Sequence, residues 1–181
     1  MSYLDSYQKR GTFFQRHKLF YTTLNNIKWK NTIVDKEEKF FSIILGNPPY
    51  FKLNSLFMHW GISHLCTNGI MSFIVPQSIR SGLYFKNLRK EIKGLRIKSI
   101  FHIDSRQNLF DRAEQAVLII CLQNKSVMNT KTKIQFINGS QKVLSEFSIP
   151  RSKLMMDRDN NYMFIINKKH EMYDILEKSL K

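Results

Sequence analysis

The feature that most constrains this chain is a short, largely apolar run that stops at two adjacent prolines. Phe40 to Leu45 leads into Gly46-Asn47-Pro48-Pro49-Tyr50. Apolar residues at successive positions are typical of a strand buried on both faces of a parallel sheet. Proline has no N–H to give to a helix or a central strand, so the chain has to turn at Pro48. The sequence therefore predicts a buried parallel strand that ends in a rigid turn.

Helical and strand patterns alternate after this turn. Helical spacing marks residues 54–68, closed by Asn68-Gly69, and an amphipathic helix with a basic outer face is expected over 78–93. Strands are expected at 70–75, 97–103, 116–122 and 133–137, the last near a sheet edge. Strands that alternate with helices indicate an α/β sheet. The two late strands follow each other without a helix, which predicts an antiparallel hairpin that completes the sheet.

The pattern divides the chain into three parts. Residues 1–39 form a polar, basic lead segment, residues 40–138 carry the α/β pattern, and residues 139–181 form a C-terminal extension that ends in a short helix. No apolar run approaches the roughly 20 residues needed to cross a bilayer. The N-terminus also lacks the pattern of a secretory signal. We therefore expect a cytoplasmic protein.

Charge is the most informative bulk property. The chain has 29 Lys and Arg against 14 Asp and Glu, a formal net charge of +15 and a pI near 9.9. Such values are typical of nucleic-acid-binding domains. The alternative is that the protein comes from a lysine-rich proteome in which every protein surface is basic. Charge alone therefore does not indicate nucleic-acid binding without a supporting motif.

Cysteines and histidines do not predict a metal site. Cys66 and Cys121 lie far apart with no Cys-x-x-Cys spacing, and we expect both to be small buried apolar groups. His59 and His64 are five residues apart and lack a third ligand at suitable spacing. We therefore assign no metal.

Asn47-Pro48-Pro49-Tyr50, which we call the proline turn, has residues with the chemistry to activate an amino group. An exocyclic amino nitrogen is a poor nucleophile because its lone pair is delocalised into the ring. Two acceptors aimed at its N–H bonds, the Asn47 side-chain oxygen and the Pro48 carbonyl, would stabilise positive charge as the nitrogen attacks. Pro49 stiffens the turn, and Tyr50 offers a flat face on which a base can stack. The alternative is a tight turn without chemistry, since Asn and Pro are common turn residues.

Ile43-Ile44-Leu45-Gly46-Asn47-Pro48-Pro49-Tyr50 resembles the catalytic motif of amino-group methyltransferases, in which a strand ends in Asn or Asp, two prolines and an aromatic residue. Gly69 to Pro76 is similar to the next strand of DNA adenine methyltransferases, and residues 108–120 are similar to their loop and final strand. The resemblance covers roughly residues 40 to 125. It is closest to the type IIG and related restriction-modification N6-adenine methyltransferases, although Ser42 stands where these often have Asp.

This resemblance implies a partial Rossmann-like, AdoMet-dependent methyltransferase fold and a site-specific DNA adenine-N6 methyltransferase. A flipped adenine would bind at Asn47-Pro48-Pro49-Tyr50, and Phe110 would be the second aromatic residue that stacks on it. The alternative for Phe110 is a side chain folded back onto the core. Residues 139–181 become the candidate start of a target-recognition region. If the basic helix faces double-stranded DNA, the phosphate contacts are Arg80, Lys86, Arg89, Lys90 and Lys93.

The resemblance also implies an AdoMet-binding turn, with a Gly-x-Gly pattern, upstream of the proline turn. The seven glycines lie at positions 11, 46, 61, 69, 82, 94 and 139, so the printed sequence contains no Gly-x-Gly. We therefore expect a split or N-terminally truncated enzyme that uses AdoMet only when a companion chain supplies the cofactor-binding half. Two alternatives stay open. One is an inactive DNA-binding remnant or interaction module, and the other is a methyltransferase that acts on guanine in RNA or glutamine in protein.

Overall fold

The computed structural model describes residues 40–48, 52–103, 116–125, 127, 130–138, 142–157 and 161–179. These residues build a six-stranded mixed sheet and a separate two-stranded ribbon. The strands are β1 (Phe41–Gly46), β2 (Leu65–Pro76), β3 (Arg96–Ile103), β4 (Val117–Gln123), β5 (Lys131–Ile137), β6 (Val143–Pro150), β7 (Met155–Met156) and β8 (Met163–Phe164). The helices are α1 (Lys52–Ser63), α2 (Lys86–Ile92), α3 (Arg151–Leu154) and α4 (Glu171–Ser179), with 3₁₀ turns at Gln77–Arg80 and Leu83–Phe85.

The order of the strands in the large sheet is β1-β2-β4-β3-β5-β6. β1 is parallel to β2, and β3 is parallel to β5, whereas β4 runs antiparallel to both of its neighbours, β2 and β3. The carboxyl ends of β1, β2, β3 and β5 therefore lie at one edge of the sheet, together with the amino end of β4. We call this edge the carboxyl edge.

The predicted antiparallel hairpin is present, but it is formed by β5 and β6. The prediction that residues 116–122 and 133–137 form it is wrong, because β4 lies between β2 and β3. Ile120 pairs with Phe73 on one side and with Ile100 on the other. β4 is apolar on both faces, which suits a central strand, whereas β6 keeps many side chains exposed, as an outermost strand does. The prediction that the strand at 133–137 lies near a sheet edge is confirmed, since β5 is next to the outermost strand β6.

The main core lies between the sheet and the helices. Met71 and Phe73 of β2 face α1, and Gly61 of α1 lies directly over them. A Cβ atom at position 61 would come within 2.5 Å of the Met71 sulfur, so glycine permits this close approach of helix and sheet. The centre of the core is made by residues of β2, β3, β4 and β5 that are at most a few per cent exposed: Met71, Phe73, Val75, Ile97, Ile100, Leu118, Ile120, Leu122 and Ile134.

Residues 143–175, which the sequence analysis set apart as an extension, share this core. β6 contributes the buried Ile149, and the segment after it contributes Leu154, Phe164 and Tyr173. Burial raises the pKa of the Tyr173 hydroxyl, which accepts a hydrogen bond from the Asn167 amide at 2.8 Å. The C-terminal segment therefore stabilises the same folded unit as the sheet.

Two predicted helices differ from the structure. The first ends at Ser63, and Asn68 and Gly69 lie inside β2 instead of closing a helix; Asn68 has a φ of 63° there. The second, predicted over 78–93, is helical only from Lys86 to Ile92, because Gly82 interrupts it between two 3₁₀ turns. A Cβ atom at position 82 would lie 2.7 Å from the Ser78 carbonyl oxygen, so the turn is too tight for a side chain.

A fully buried arginine fixes this interrupted segment. Arg89 is 0% exposed and donates through Nη1 to the carbonyls of Ile79 at 3.0 Å and Gly82 at 2.8 Å. Its Nε donates to the Asn161 carbonyl at 3.0 Å, and its Nη2 donates to the Asn161 side-chain oxygen. Burial lowers the pKa of Arg89. The side chain thus joins the loop after β2 to the C-terminal segment.

We predict that Arg89→Met destabilises the protein by about 2–4 kcal/mol, because carbonyl groups buried beneath the loop lose their only charged donor. Lys90→Met is the matched control. Lys90 is the next residue on the same helix, is exposed, and should change stability by no more than about 0.5 kcal/mol. Urea unfolding curves measure both. Equal midpoints for the two variants would show that Arg89 does not hold the loop.

Candidate functional site

The end of β1 presents one exposed polar side chain beside a buried proline. Gly46, the last residue of β1, pairs with Phe73 of β2, and a Cβ atom at position 46 would lie 2.6 Å from the Phe73 ring. Asn47 follows and is exposed, and Pro48 is buried. The chain therefore leaves the sheet at a fixed point with Asn47 accessible at the carboxyl edge. Pro49 and Tyr50 lie outside the described residues.

β1 is parallel, as predicted, but it is not buried on both faces. It is the outermost strand of the sheet among the described residues, and Ile43 and Leu45 are 66% and 74% exposed. By register, Ile44 and Gly46 lie level with Met71 and Phe73, which face α1. Ile43 and Leu45 consequently project from the opposite face of the sheet. A run of apolar residues does not reveal what covers it, so the pattern could not distinguish an outermost strand from a central one.

The segment predicted to carry Phe110 is anchored at the same edge. Ile103, the last residue of β3, pairs with Val117, the first residue of β4. The Ala116 carbonyl accepts a hydrogen bond from the Gln77 amide at 3.2 Å, which ties this segment to the end of β2. Residue 110 lies outside the described residues. Both ends of its segment, however, are held at the carboxyl edge.

A second loop at the carboxyl edge carries the exposed residues Leu83 and Tyr84. The helix predicted over 78–93 would have placed Leu83 on its buried side, and Tyr84 was not singled out. Leu83 is 81% exposed and Tyr84 is 51% exposed. The Ser55 hydroxyl, in the first turn of α1, donates to the Tyr84 hydroxyl at 3.1 Å. The loop therefore lies against the part of α1 that follows the proline turn. Gly82 is the sequence signal for this loop, since glycine within a helical pattern marks a break.

The five basic residues predicted to contact DNA do not form one surface. The prediction for Arg89 is wrong, because its guanidinium is fully buried and donates to backbone and side-chain oxygens within the protein. Arg80 is half-buried and donates to the Ile166 carbonyl at 2.9 Å, and burial lowers its pKa. Lys93 lies 3.8 Å from the Asp157 carboxylate and 4.3 Å from the centre of the Tyr162 ring. Lys86 and Lys90 are exposed, and Lys86 begins α2 at the carboxyl edge.

Comparison with known protein families identifies the family of this chain. The sequence profile of the family described as N-6 DNA Methylase matches residues 22–174. The chain belongs to the N-6 DNA methylase family. No curated protein is significantly similar to it in sequence.

Solved structures similar to this family member include three chains from type I restriction systems. The M protein of the type I restriction enzyme EcoKI aligns with a TM-score of 0.52 and 13% identity, over 68% of this chain and 33% of its own. A modification subunit assigned to a type I restriction enzyme of Vibrio vulnificus YJ016 aligns with a TM-score of 0.55 and 10% identity, over 81% and 42%. A chain of a type I restriction-modification system aligns with a TM-score of 0.54 and 10% identity, over 86% and 46%.

These similarities confirm the predicted fold class. The described residues form part of an α/β methyltransferase sheet that ends in an antiparallel hairpin. This member of the N-6 DNA methylase family spans a third to a half of the length of the three solved chains. None of its described helices combines the length and the apolar character that a membrane span requires.

Proposed function

We propose that this chain forms the target-base side of a site-specific DNA adenine-N6 methyltransferase of the restriction-modification type. The observation that carries the proposal is the exposed Asn47 beside buried Pro48, at the carboxyl end of a parallel strand in an N-6 DNA methylase. Open α/β sheets bind their ligands at the carboxyl ends of parallel strands. AdoMet supplies the methyl group of this reaction.

Asn47 and Pro48 bind and orient the amino group of the flipped adenine. The Asn47 side-chain oxygen and the Pro48 carbonyl accept its two N–H bonds, which stabilises the positive charge that develops on the nitrogen. Proline offers no competing N–H, and the buried Pro48 keeps its carbonyl in a fixed position. Tyr50 and Phe110 stack on the two faces of the base, because the segments that carry them leave the sheet at the same edge.

The DNA backbone crosses the carboxyl edge beside α2. Lys86 and Lys90 are exposed on this helix, and no acidic residue occurs from Gln77 to Lys90. The loop with Leu83 and Tyr84 adds apolar surface next to the first turn of α1. Apolar side chains at such a position fill the space that a base leaves when it rotates out of the duplex. Arg89 holds this loop from beneath without contacting DNA.

A companion chain supplies the AdoMet-binding half and pairs with β1. β1 has no strand on its outer side within the described part of the chain, and Ile43 and Leu45 are exposed beside it. Unpaired strand edges with exposed apolar side chains add further strands readily. Pairing there would place the cofactor next to Asn47.

We predict that Asn47→Ala lowers DNA adenine methylation by roughly 100-fold or more, because an acceptor for the developing charge is lost. The chain and its neighbouring genes are expressed in a host without adenine methylation, and N6-methyladenine is mapped by single-molecule sequencing, which also identifies the target sequence. Ser152→Ala, an exposed polar residue on α3 at the opposite edge of the sheet, is the control. Undiminished N6-methyladenine with Asn47→Ala would refute the assigned pocket, and methyl groups only in RNA or protein would favour another substrate.

We predict that Lys86→Ala with Lys90→Ala weakens DNA binding and reduces the slope of log affinity against log salt by about 2, since each phosphate contact contributes about 0.9. Fluorescence anisotropy of a labelled duplex between about 50 and 200 mM salt measures this slope. Lys125→Ala with Lys131→Ala is the control, because both residues are exposed at the opposite edge of the sheet. Identical slopes for the two double variants would remove α2 from the DNA surface.

We predict that Leu45→Asp abolishes AdoMet binding that depends on the companion chain, because a carboxylate cannot be buried unpaired in the new contact. Isothermal titration with AdoMet is carried out on the 181-residue chain alone and after addition of the neighbouring gene products. Leu144→Asp, an exposed leucine on the opposite outermost strand β6, should behave as the wild type. Micromolar AdoMet binding by the isolated chain would show that its own residues form the cofactor site.

A further inference from the structure

α1 contains a buried polar side chain without a hydrogen-bond partner. Asn54 is 0% exposed, and within the described part of the chain neither its amide nitrogen nor its side-chain oxygen has a partner. Leaving a buried donor or acceptor unpaired costs about 1–3 kcal/mol. Such groups are rare in folded proteins, and each requires a physical explanation.

The position of Asn54 can be derived from the packing of α1. Asn54, Met58 and Gly61 are all buried and lie on one face of the helix, which rests on the sheet. Gly61 lies over Phe73 of β2, and Phe73 pairs with Gly46 of β1. Asn54 precedes Gly61 by seven residues, which is about 10 Å along the helix.

This distance places Asn54 level with the proline turn. α1 begins at the carboxyl edge and runs back along the sheet, so its amino-terminal residues lie beyond the ends of the strands. About 10 Å equals about three residues of extended chain. Counted from Phe73, that distance leads to Pro76, and on the β1 side, where Gly46 pairs with Phe73, it leads past Asn47 and Pro48. The unpaired amide is therefore buried at the height of the residues that bind the target base.

The chemistry of Asn54 complements this turn. Pro48 and Pro49 have no N–H group, so the polar backbone groups that they contribute are carbonyls. The side-chain amide of Asn54 provides two N–H donors at the same level. A donor that hydrogen-bonds to a carbonyl oxygen restricts the orientation of the peptide group to which that carbonyl belongs.

We propose that Asn54 is a positioning residue for methyl transfer, which rests on the function proposed above. When the target adenine occupies the site, Asn54 Nδ2 donates to the backbone carbonyl of Asn47 or Pro48 and thereby fixes the peptide that directs the Pro48 carbonyl towards the amino group. In the DNA-free chain this hydrogen bond is not made. The unpaired amide therefore lowers the stability of the free protein and becomes satisfied only in the complex with DNA.

The test combines stability with kinetics in Asn54→Leu, which keeps the branched shape of the side chain and removes both polar groups. We expect the chain to unfold at a higher urea concentration than the wild type. We expect kcat for DNA methylation by the assembled enzyme to fall at least tenfold, with KM for DNA within twofold of the wild-type value. Asn54→Ala, which cannot overpack the core, should show the same loss of kcat. Ser152→Leu, an exposed position on α3 at the opposite edge of the sheet, is the control for both measurements.

Hydrogen exchange gives a readout that core packing alone would not change. In the wild type, amide exchange in peptides covering residues 45–56 should slow when target DNA binds, and in Asn54→Leu this slowing should be lost. A wild-type kcat in Asn54→Leu and Asn54→Ala, or equal protection of these peptides, would overturn the proposal. Failure of the proposed function has a different result, because the wild-type chain itself would then produce no N6-methyladenine.

Discussion

The loops at the carboxyl edge of this sheet depend on the fully buried guanidinium group of Arg89. Arg89 binds the carbonyls of Ile79 and Gly82 on one side and Asn161 on the other, so the loop after β2 and the C-terminal segment are held by one side chain. The Gly82 carbonyl also accepts a hydrogen bond from the Phe85 amide at 3.0 Å, so Arg89 reinforces that turn as well as linking it to Asn161. Arginine suits this role because its five donors lie in a rigid plane and its charge is retained when buried. The rigidity of the proposed DNA-facing loop thus originates in the core.

Much of the fold could be predicted from sequence because its strands are apolar and end at Gly or Pro. Four expected strands correspond to β2, β3, β4 and β5, and the strand before Asn47 corresponds to β1. Strand order could not be predicted, since apolarity on both faces does not say which neighbours a strand has. β4 lies between β2 and β3, where Val117 begins at the carboxyl edge opposite Pro76 and Ile103.

The candidate site was predictable to the extent that it is local. Asn47 and Pro48 are adjacent in sequence, and their chemistry follows from residue type alone. The basic helix was less predictable, because Arg89 and Lys90 are neighbours in sequence but face opposite environments, one buried and one exposed. The sequence analysis assigned both to the basic outer face because of their charge, whereas Arg89 lies on the same face of α2 as the buried Leu88 and Ile92. Asn54 gave no signal, since an asparagine in the first turn of a helix usually indicates a cap.

Polar groups at the carboxyl edge show how stability and function compete in this fold. Arg89 makes four hydrogen bonds and stabilises the folded chain, whereas Asn54 is buried without a partner within the described residues. A chain selected for stability alone would replace Asn54 by an apolar residue. In the proposed mechanism, the unpaired amide of Asn54 destabilises the free protein and gains its hydrogen bond only when target DNA is bound. Only interactions that are stronger in the transition state than in the enzyme–substrate complex increase kcat, so Asn54 acts on kcat through the Pro48 carbonyl, which it holds towards the nitrogen on which charge develops.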